Sequence, residues 1–203
     1  MNKELSSPIA LTVGSTRILP WLRVAGVILA GSVLLAVCSR VAVPLWFTPV
    51  PLTIQPFAVL LLGLLLSPRL AFATLAAYLA EGAIGLPVFA PTPAIGGFAH
   101  LFGPTAGYLV AYPVAAALIA FLRHRGPSRF FTAFASAALG DLVILSFGAL
   151  WLAAFTHAPA LNVLGLAVLP FLPGDVLKVA AAAGVAVGLR RFRQRRAQSR
   201  ANA

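Results

Sequence analysis

Four acidic residues occur in this 203-residue chain, and three of them, Glu81, Asp141 and Asp175, stand inside long apolar runs. One of the three has a companion: in Pro173-Gly174-Asp175-Val176-Leu177-Lys178 a carboxylate and an ammonium lie three residues apart. On a helix, positions i and i+3 share a face, so both groups look the same way. A charge at the middle of a bilayer costs about 2.5–3.5 kcal/mol on insertion scales. Such groups persist when they satisfy each other, face a polar cavity or grip a polar ligand. Asp175 and Lys178 fit two readings, a self-neutralising pair that fixes its helix or a grip on a ligand. Asp141 follows Gly140 with no sequence-local partner and reads foremost as a hydrogen-bonding group between packed helices. Glu81 precedes Gly82 near the end of its apolar run, beside a long loop.

Gln55, next to Pro56, is an amide that can donate and accept at once. That suits an amide-like or urea-like ligand, and it equally serves a helix start. Tyr108, Trp46, Phe47, Phe89 and Phe98 offer flat apolar surface, and an interface anchor is the ordinary role of any one of them. His100, His124 and His157 share no helical metal-ligand spacing, so no metal is expected. Cys38 stands alone and supplies no disulfide framework. The chain has no G-x-x-x-x-G-K-[ST] phosphate loop and no nucleophile–base arrangement around Ser136 or Ser146. It is not read as an enzyme, and no cofactor is implied.

The elements that must hold these groups follow from composition. Hydrophobic residues make up 61% of the chain and charged residues 9%, far below the roughly 25% of soluble domains. The apolar runs predict an all-α integral membrane protein with six transmembrane helices. Their spans are 20–40, 55–67 (short), 69–87, 104–123, 130–156 and 162–190. The last is interrupted by Pro170 and Pro173, which predicts a short lead-in helix, a break, and a helix starting near Pro173. Of fifteen Lys and Arg, thirteen fall on one side of this map, Arg40 on the other, and Lys178 within the membrane. That asymmetry predicts an even number of spans with both termini cytoplasmic. It also leaves no free basic surface for nucleic acid, despite a net charge of +11. Residues 1–17 are then a polar cytoplasmic tail, 18–190 a six-helix membrane domain, and 191–203 a basic cytoplasmic tail. Two outward loops, 41–54 and 87–103, are rich in Pro, Gly and aromatics and nearly uncharged. They read either as an interfacial belt or as lids over an outward pocket.

Five strings in order carry a resemblance. They are Pro49-Val50-Pro51-Leu52-Thr53-Ile54-Gln55, Gly63-Leu64-Leu65-Leu66-Ser67-Pro68-Arg69, Gly82-Ala83-Ile84-Gly85-Leu86-Pro87-Val88-Phe89-Ala90, Gly103-Pro104-Thr105-Ala106-Gly107-Tyr108 and Leu169-Pro170-Phe171-Leu172-Pro173-Gly174-Asp175-Val176-Leu177-Lys178. Together they resemble the BioY family, the biotin-specific substrate-binding (S) components of energy-coupling-factor (ECF) transporters. The second outer loop differs from the family's usual glycine run, reading Pro91-Thr92-Pro93-Ala94-Ile95-Gly96-Gly97.

The resemblance implies an S-component fold, a multi-pass protein of the cytoplasmic membrane that binds biotin with high affinity in an outward-opening pocket. Biotin would be handed to an ATP-driven module of a transmembrane coupling subunit and two cytoplasmic ATPases, which accounts for the missing phosphate loop. It makes Asp175 and Lys178 the ligand-contacting pair, with Gln55, Glu81, Tyr108, Phe89 and Gly97 as further substrate-binding candidates. Family members carry a small-residue Ala-x-x-x-Ala patch on the first helix for docking the coupling subunit, and Gly26-x-x-x-Ala30 and Ser32-x-x-x-Ala36 are its nearest matches here. The alternatives are an S component for another vitamin, or a self-sufficient solute transporter.

Overall fold

Apolar surroundings offer no water to backbone amides, so the chain closes its hydrogen bonds within helices. The structure, a computed structural model, describes residues 18–91, 96–126 and 129–201. Among these are seven α-helices: α1 (Ile18–Arg40), α2 (Gln55–Leu65), α3 (Pro68–Ala83), α4 (Ala106–Arg125), α5 (Phe130–Thr156), α6 (Ala160–Ala167) and α7 (Leu172–Ala201). A 3-10 helix covers Gly97–Phe102. One exception to the all-helical expectation is a two-stranded ribbon in the first long loop. There β1 (Ala42–Val43) pairs antiparallel with β2 (Leu52–Thr53). The 1–17 tail and the lid positions 92–95 lie outside the described residues.

Helix α5 covers the expected 130–156, and α1, α2 and α4 agree with their spans to within two residues. Helix α3 ends four residues earlier than hydropathy suggests, for a local reason. Gly85 takes a left-handed φ of 96°, the Leu86 N–H donates to the Glu81 carbonyl (3.0 Å) and the Gly85 N–H to that of Gly82 (3.1 Å). This is a Schellman stop, and it depends on glycine at the left-handed position. The sixth apolar run is broken as its prolines predict. Helix α6 stops at Ala167, residues 168–171 turn, and α7 begins at Leu172 with Pro173 in its first turn. The basic residues 191–201 continue α7, since Arg, Gln and Ala are good helix formers and no Gly or Pro interrupts them.

By length and composition, four helices can cross a membrane among the described residues: Pro20–Arg40, Ala106–Arg125, Phe130–Thr156 and Leu172–Arg200. Helix α4 is the centre of the packing. Two thirds of its apolar window (67%) is buried inside the protein, against 33% for α5 and α7 and 22% for α1. The short α2 is also central, burying every residue from Ala58 to Leu64. The outward sides of α1, α5 and α7 expose Val33, Val37, Leu139, Leu150 and Leu177. A surface this apolar is far beyond what a water-soluble monomer shows and suits hydrocarbon.

Helices α4 and α5 approach closely because glycines stand where they meet. A Cβ on Gly107 would lie 2.3 Å from Trp151 Cβ and 2.4 Å from the Phe147 carbonyl oxygen. A backbone oxygen cannot swing aside, so a methyl there forces the helices apart, at roughly 1–3 kcal/mol. Gly184 on α7 has nothing within 4 Å of its Cβ position. Thermal unfolding in detergent should therefore show Gly107→Ala melting well below wild type and Gly184→Ala close to it. Equal midpoints for the two variants would mean that the α4–α5 contact is not tightly packed.

Candidate functional site

The break between α6 and α7 is what sets charged groups inside the fold. With α7 starting at Leu172, Asp175 falls in the first helical turn, where the positive end of the helix dipole favours a carboxylate. One turn on, Lys178 Nζ donates to Asp175 Oδ1 at 2.8 Å. Their side chains are only 13% and 6% exposed, so the pair is desolvated.

These two residues line a partly open cavity of about 580 Å³, counting its mouth. Both long loops and helices α2, α4, α5 and α7 supply the wall. Val50, Pro51 and Thr53 come from the first long loop and Gln55 and Pro56 from the start of α2. Thr105, Tyr108, Leu109 and Tyr112 come from α4 and its approach, Asp141, Ile144 and Leu145 from α5, and Ala90 and His100 from the second loop. Phe171 closes the wall beside Asp175. Carbon predominates, with a few polar groups converging, which is the usual make-up of a small-molecule site.

Of the residues singled out from sequence, Asp175, Lys178, Gln55 and Tyr108 therefore meet at one cavity. Gln55 is buried (2% exposed), and its amide nitrogen donates to the Tyr78 hydroxyl at 2.8 Å. Tyr78 passes this on to the Val88 carbonyl at 2.9 Å. Tyr108 gives its ring to the wall, but its hydroxyl donates to the Ala167 carbonyl at 2.6 Å and so holds the end of α6.

Glu81, Phe89 and Gly97 are not in the wall. Glu81 accepts a hydrogen bond from Ser32 of α1, which turns it into a tie between α1 and α3 and away from the cavity. Phe89 stands one layer back. It stacks on His100 (4.9 Å between ring centres) and packs edge-on against Tyr78 (5.5 Å), so it backs two polar rings. Gly97 takes a φ of 69° to open the 3-10 helix, and a Cβ there would sit 3.6 Å from Gly85 Cα. It joins two loop ends. Gly26 and Ala30 lie on the exposed side of α1, and a Cβ on Gly26 would meet nothing within 4 Å. Trp46 is 96% exposed at the loop tip and packs against Phe47, away from the cavity.

Three wall residues escape a reading based on sequence alone. Asp141 reads there as an interhelical hydrogen-bonder, yet it faces the cavity and makes no hydrogen bond to a described residue. Its depth was the available signal, because it sits as far into α5 as Lys178 sits above the basic end of α7. Tyr112 follows Tyr108 by one helical turn and shares its face. His100 had no helical periodicity to place it, since it lies in the 3-10 helix.

The family model for the BioY family matches residues 8–195. A probable biotin transporter BioY of Pyrococcus horikoshii is 45% identical over 138 residues, covering 68% of this chain and 79% of that protein. The biotin transporter BioY of Thermotoga maritima is 33% identical over 159 residues, covering 78% of this chain and 90% of that one. Among solved structures, the S-component for biotin from an ECF-type ABC transporter, a crystal structure at 2.1 Å, superposes with a TM-score of 0.76. It is 27% identical, and the match covers 85% of this chain and 93% of that one. With most of its length matched by the family model, and the broken sixth run, the cavity and the fold all in agreement, the chain belongs to the BioY family.

Proposed function

We propose that this protein captures biotin in the Asp175–Lys178 cavity and delivers it across the cytoplasmic membrane as the substrate-binding component of an ECF-type transporter. The observation that carries this reading is the buried ion pair at the wall of a mostly apolar cavity, in a fold matching an S-component for biotin. Biotin brings a cyclic urea with two N–H donors and a carbonyl, an apolar thioether ring and a carboxylate on a flexible tail. Leu109, Ile144, Leu145 and Phe171 suit the ring. Lys178 suits an anionic or carbonyl oxygen and Gln55 either kind of partner. Buried hydrogen bonds to charged groups contribute roughly 1.5–3 kcal/mol each.

In this reading six spans cross the membrane, α1 to α5 and the broken α6–α7, with both termini in the cytoplasm. Residues 18–190 form the membrane domain, flanked by cytoplasmic tails at 1–17 and 191–203. The excess of arginine at the ends of α4 and α7 supports that orientation. The energy comes from outside the chain, from a coupling subunit and two cytoplasmic ATPases, because no phosphate loop is present. The exposed Gly26 and Ala30 on α1 offer a flat strip for close helix approach by the coupling subunit.

Titration of the detergent-purified protein with biotin tests the assignment. Saturable binding well below micromolar is expected, with other vitamins failing to compete. Absence of saturable binding would dispose of it, and competition by a different vitamin would reassign the ligand. For the ion pair itself, Asp175→Asn and Lys178→Met are each expected to weaken biotin binding by about tenfold or more while leaving the protein folded and monodisperse. Unchanged affinity in both variants would make the pair a helix-fixing device alone.

A further inference from the structure

From Arg191 to Arg200 every residue of α7 is exposed, so this end of the helix packs against no other element. It carries five arginines in ten residues and no acid. Arg190, just before it, is turned inward and donates to the Leu64 carbonyl at 3.0 Å. Among the described residues no carboxylate answers this charge. Asp175 is paired with Lys178, Glu81 is bonded to Ser32, and Asp141 lines the cavity. Glu4, outside the described residues, is a single charge in a chain of net charge +11. The counter-charge therefore comes from outside the chain.

We infer that this end of α7, with the end of α4 beside it, is a binding surface for anionic phospholipid headgroups of the leaflet from which the helices emerge. The inference depends on the chain lying in a bilayer and is independent of the biotin assignment. The exposed stripe of Val185, Leu189 and Phe192, at spacings of four and three, runs straight into Arg196. Such a stripe faces hydrocarbon, so the arginines emerge where the headgroups begin. Arg191 to Arg196 rise about 8 Å at 1.5 Å per residue, against a headgroup layer of roughly 5–8 Å on each side of a bilayer. At 3.6 residues per turn, Arg191, Arg193, Arg195 and Arg196 fan over about 200° of the circumference, every side but the one that Arg190 turns inward. A protein partner meets one face of a helix, whereas a leaflet surrounds a helix that leaves it, which favours lipid over an acidic subunit surface. Two rings mark the same level. Arg196 lies over the Phe192 ring at 4.8 Å, and Arg125, at the end of α4, lies over the Phe121 ring at 4.0 Å. Both rings are exposed, and the two helix ends adjoin, since Arg123 and Arg190 are within electrostatic reach of each other. A guanidinium over a ring keeps its in-plane N–H donors for a phosphate oxygen, while the ring stays with the acyl chains.

The test places the full-length protein in phosphatidylcholine bilayers and measures, by electron spin resonance, how strongly spin-labelled phosphatidylglycerol associates with it relative to spin-labelled phosphatidylcholine. Wild type is expected to favour phosphatidylglycerol by about threefold or more, and by less in about 1 M salt, where charges are screened within a few ångströms. The combined variant Arg191→Gln, Arg193→Gln, Arg195→Gln, Arg196→Gln should lower that preference by about half or more. Its melting midpoint in detergent should match wild type, because these side chains pack against nothing. Equal association of the two lipids with wild type overturns the inference without recourse to any variant. A wild-type preference that survives unchanged in the combined variant overturns it as well. If that variant instead loses its association with a coupling subunit and ATPases, the arginines belong to a protein interface. Biotin titration of the same samples reads the other proposal separately, so each stands or falls alone.

Discussion

A helix cannot be interrupted inside an apolar fold unless something accepts the hydrogen-bonding work that its backbone gives up. Between Ala167 and Leu172 the chain is not helical, and the last carbonyls of α6 have no intrahelical donors. Side chains from distant segments replace them. The Thr48 hydroxyl donates to the Leu166 carbonyl at 2.9 Å and the Tyr108 hydroxyl to that of Ala167 at 2.6 Å. The turn closes on itself through the Val168 and Leu169 N–H groups, both onto the Leu164 carbonyl. Because this junction is held from the first long loop and from α4, α7 can begin at depth. Everything that follows, from the position of Asp175 to the existence of the cavity, depends on that start.

The same break explains the electrostatics. Helix α7 begins at the cavity, and so do α2, whose first residue is Gln55, and α4, which follows Thr105. Three helix N-termini therefore converge where the acidic side chains lie, each contributing partial positive charge from unsatisfied N–H groups. That offsets part of the cost of placing two carboxyl groups beside one ammonium. Helix α2 is only 11 residues long, about 16 Å at 1.5 Å per residue, roughly half the hydrocarbon thickness. The space it leaves is filled by the β1–β2 ribbon and by the cavity. From Gln55 a chain of hydrogen bonds leads through Tyr78 to the Val88 carbonyl, which Ser39 of α1 also contacts at 2.7 Å. The second loop is thus tied to the site floor and to α1 by polar groups in an otherwise apolar wall.

Much of this was legible in the residue order. Hydropathy located the helices, and the prolines at 170 and 173 located the break, because backbone chemistry and apolar run length act locally. Asp175 and Lys178 were legible for the same reason, being three residues apart on one helix. What local pattern does not carry is which side of a buried helix faces a void. Helix α4 is apolar nearly all round, so only its one-turn spacing from Tyr108 separates Tyr112 from a packed core residue. Glu81 illustrates the reverse failure. Its position near the loop suggested the site, but its partner, Ser32, lies 49 residues earlier, and only tertiary packing brings them together. Phe89 and Gly97 shape the second loop from behind for equally non-local reasons.

Polar groups in an apolar interior are informative through their partners more than through their presence. Ser39, Thr74, Ser136 and Thr156 each return their hydroxyl to a carbonyl three or four residues back on the same helix. Tyr78, Thr48 and Tyr108 are committed across elements, and Ser32 to Glu81. Against this background an uncommitted buried group stands out, since near-complete satisfaction is the rule where water is excluded. The uncommitted Asp141 and Tyr112 both line the cavity, and the one ion pair among the described residues does too. Polar groups that no neighbouring element uses, gathered at one void, offer hydrogen-bonding capacity to something that enters it.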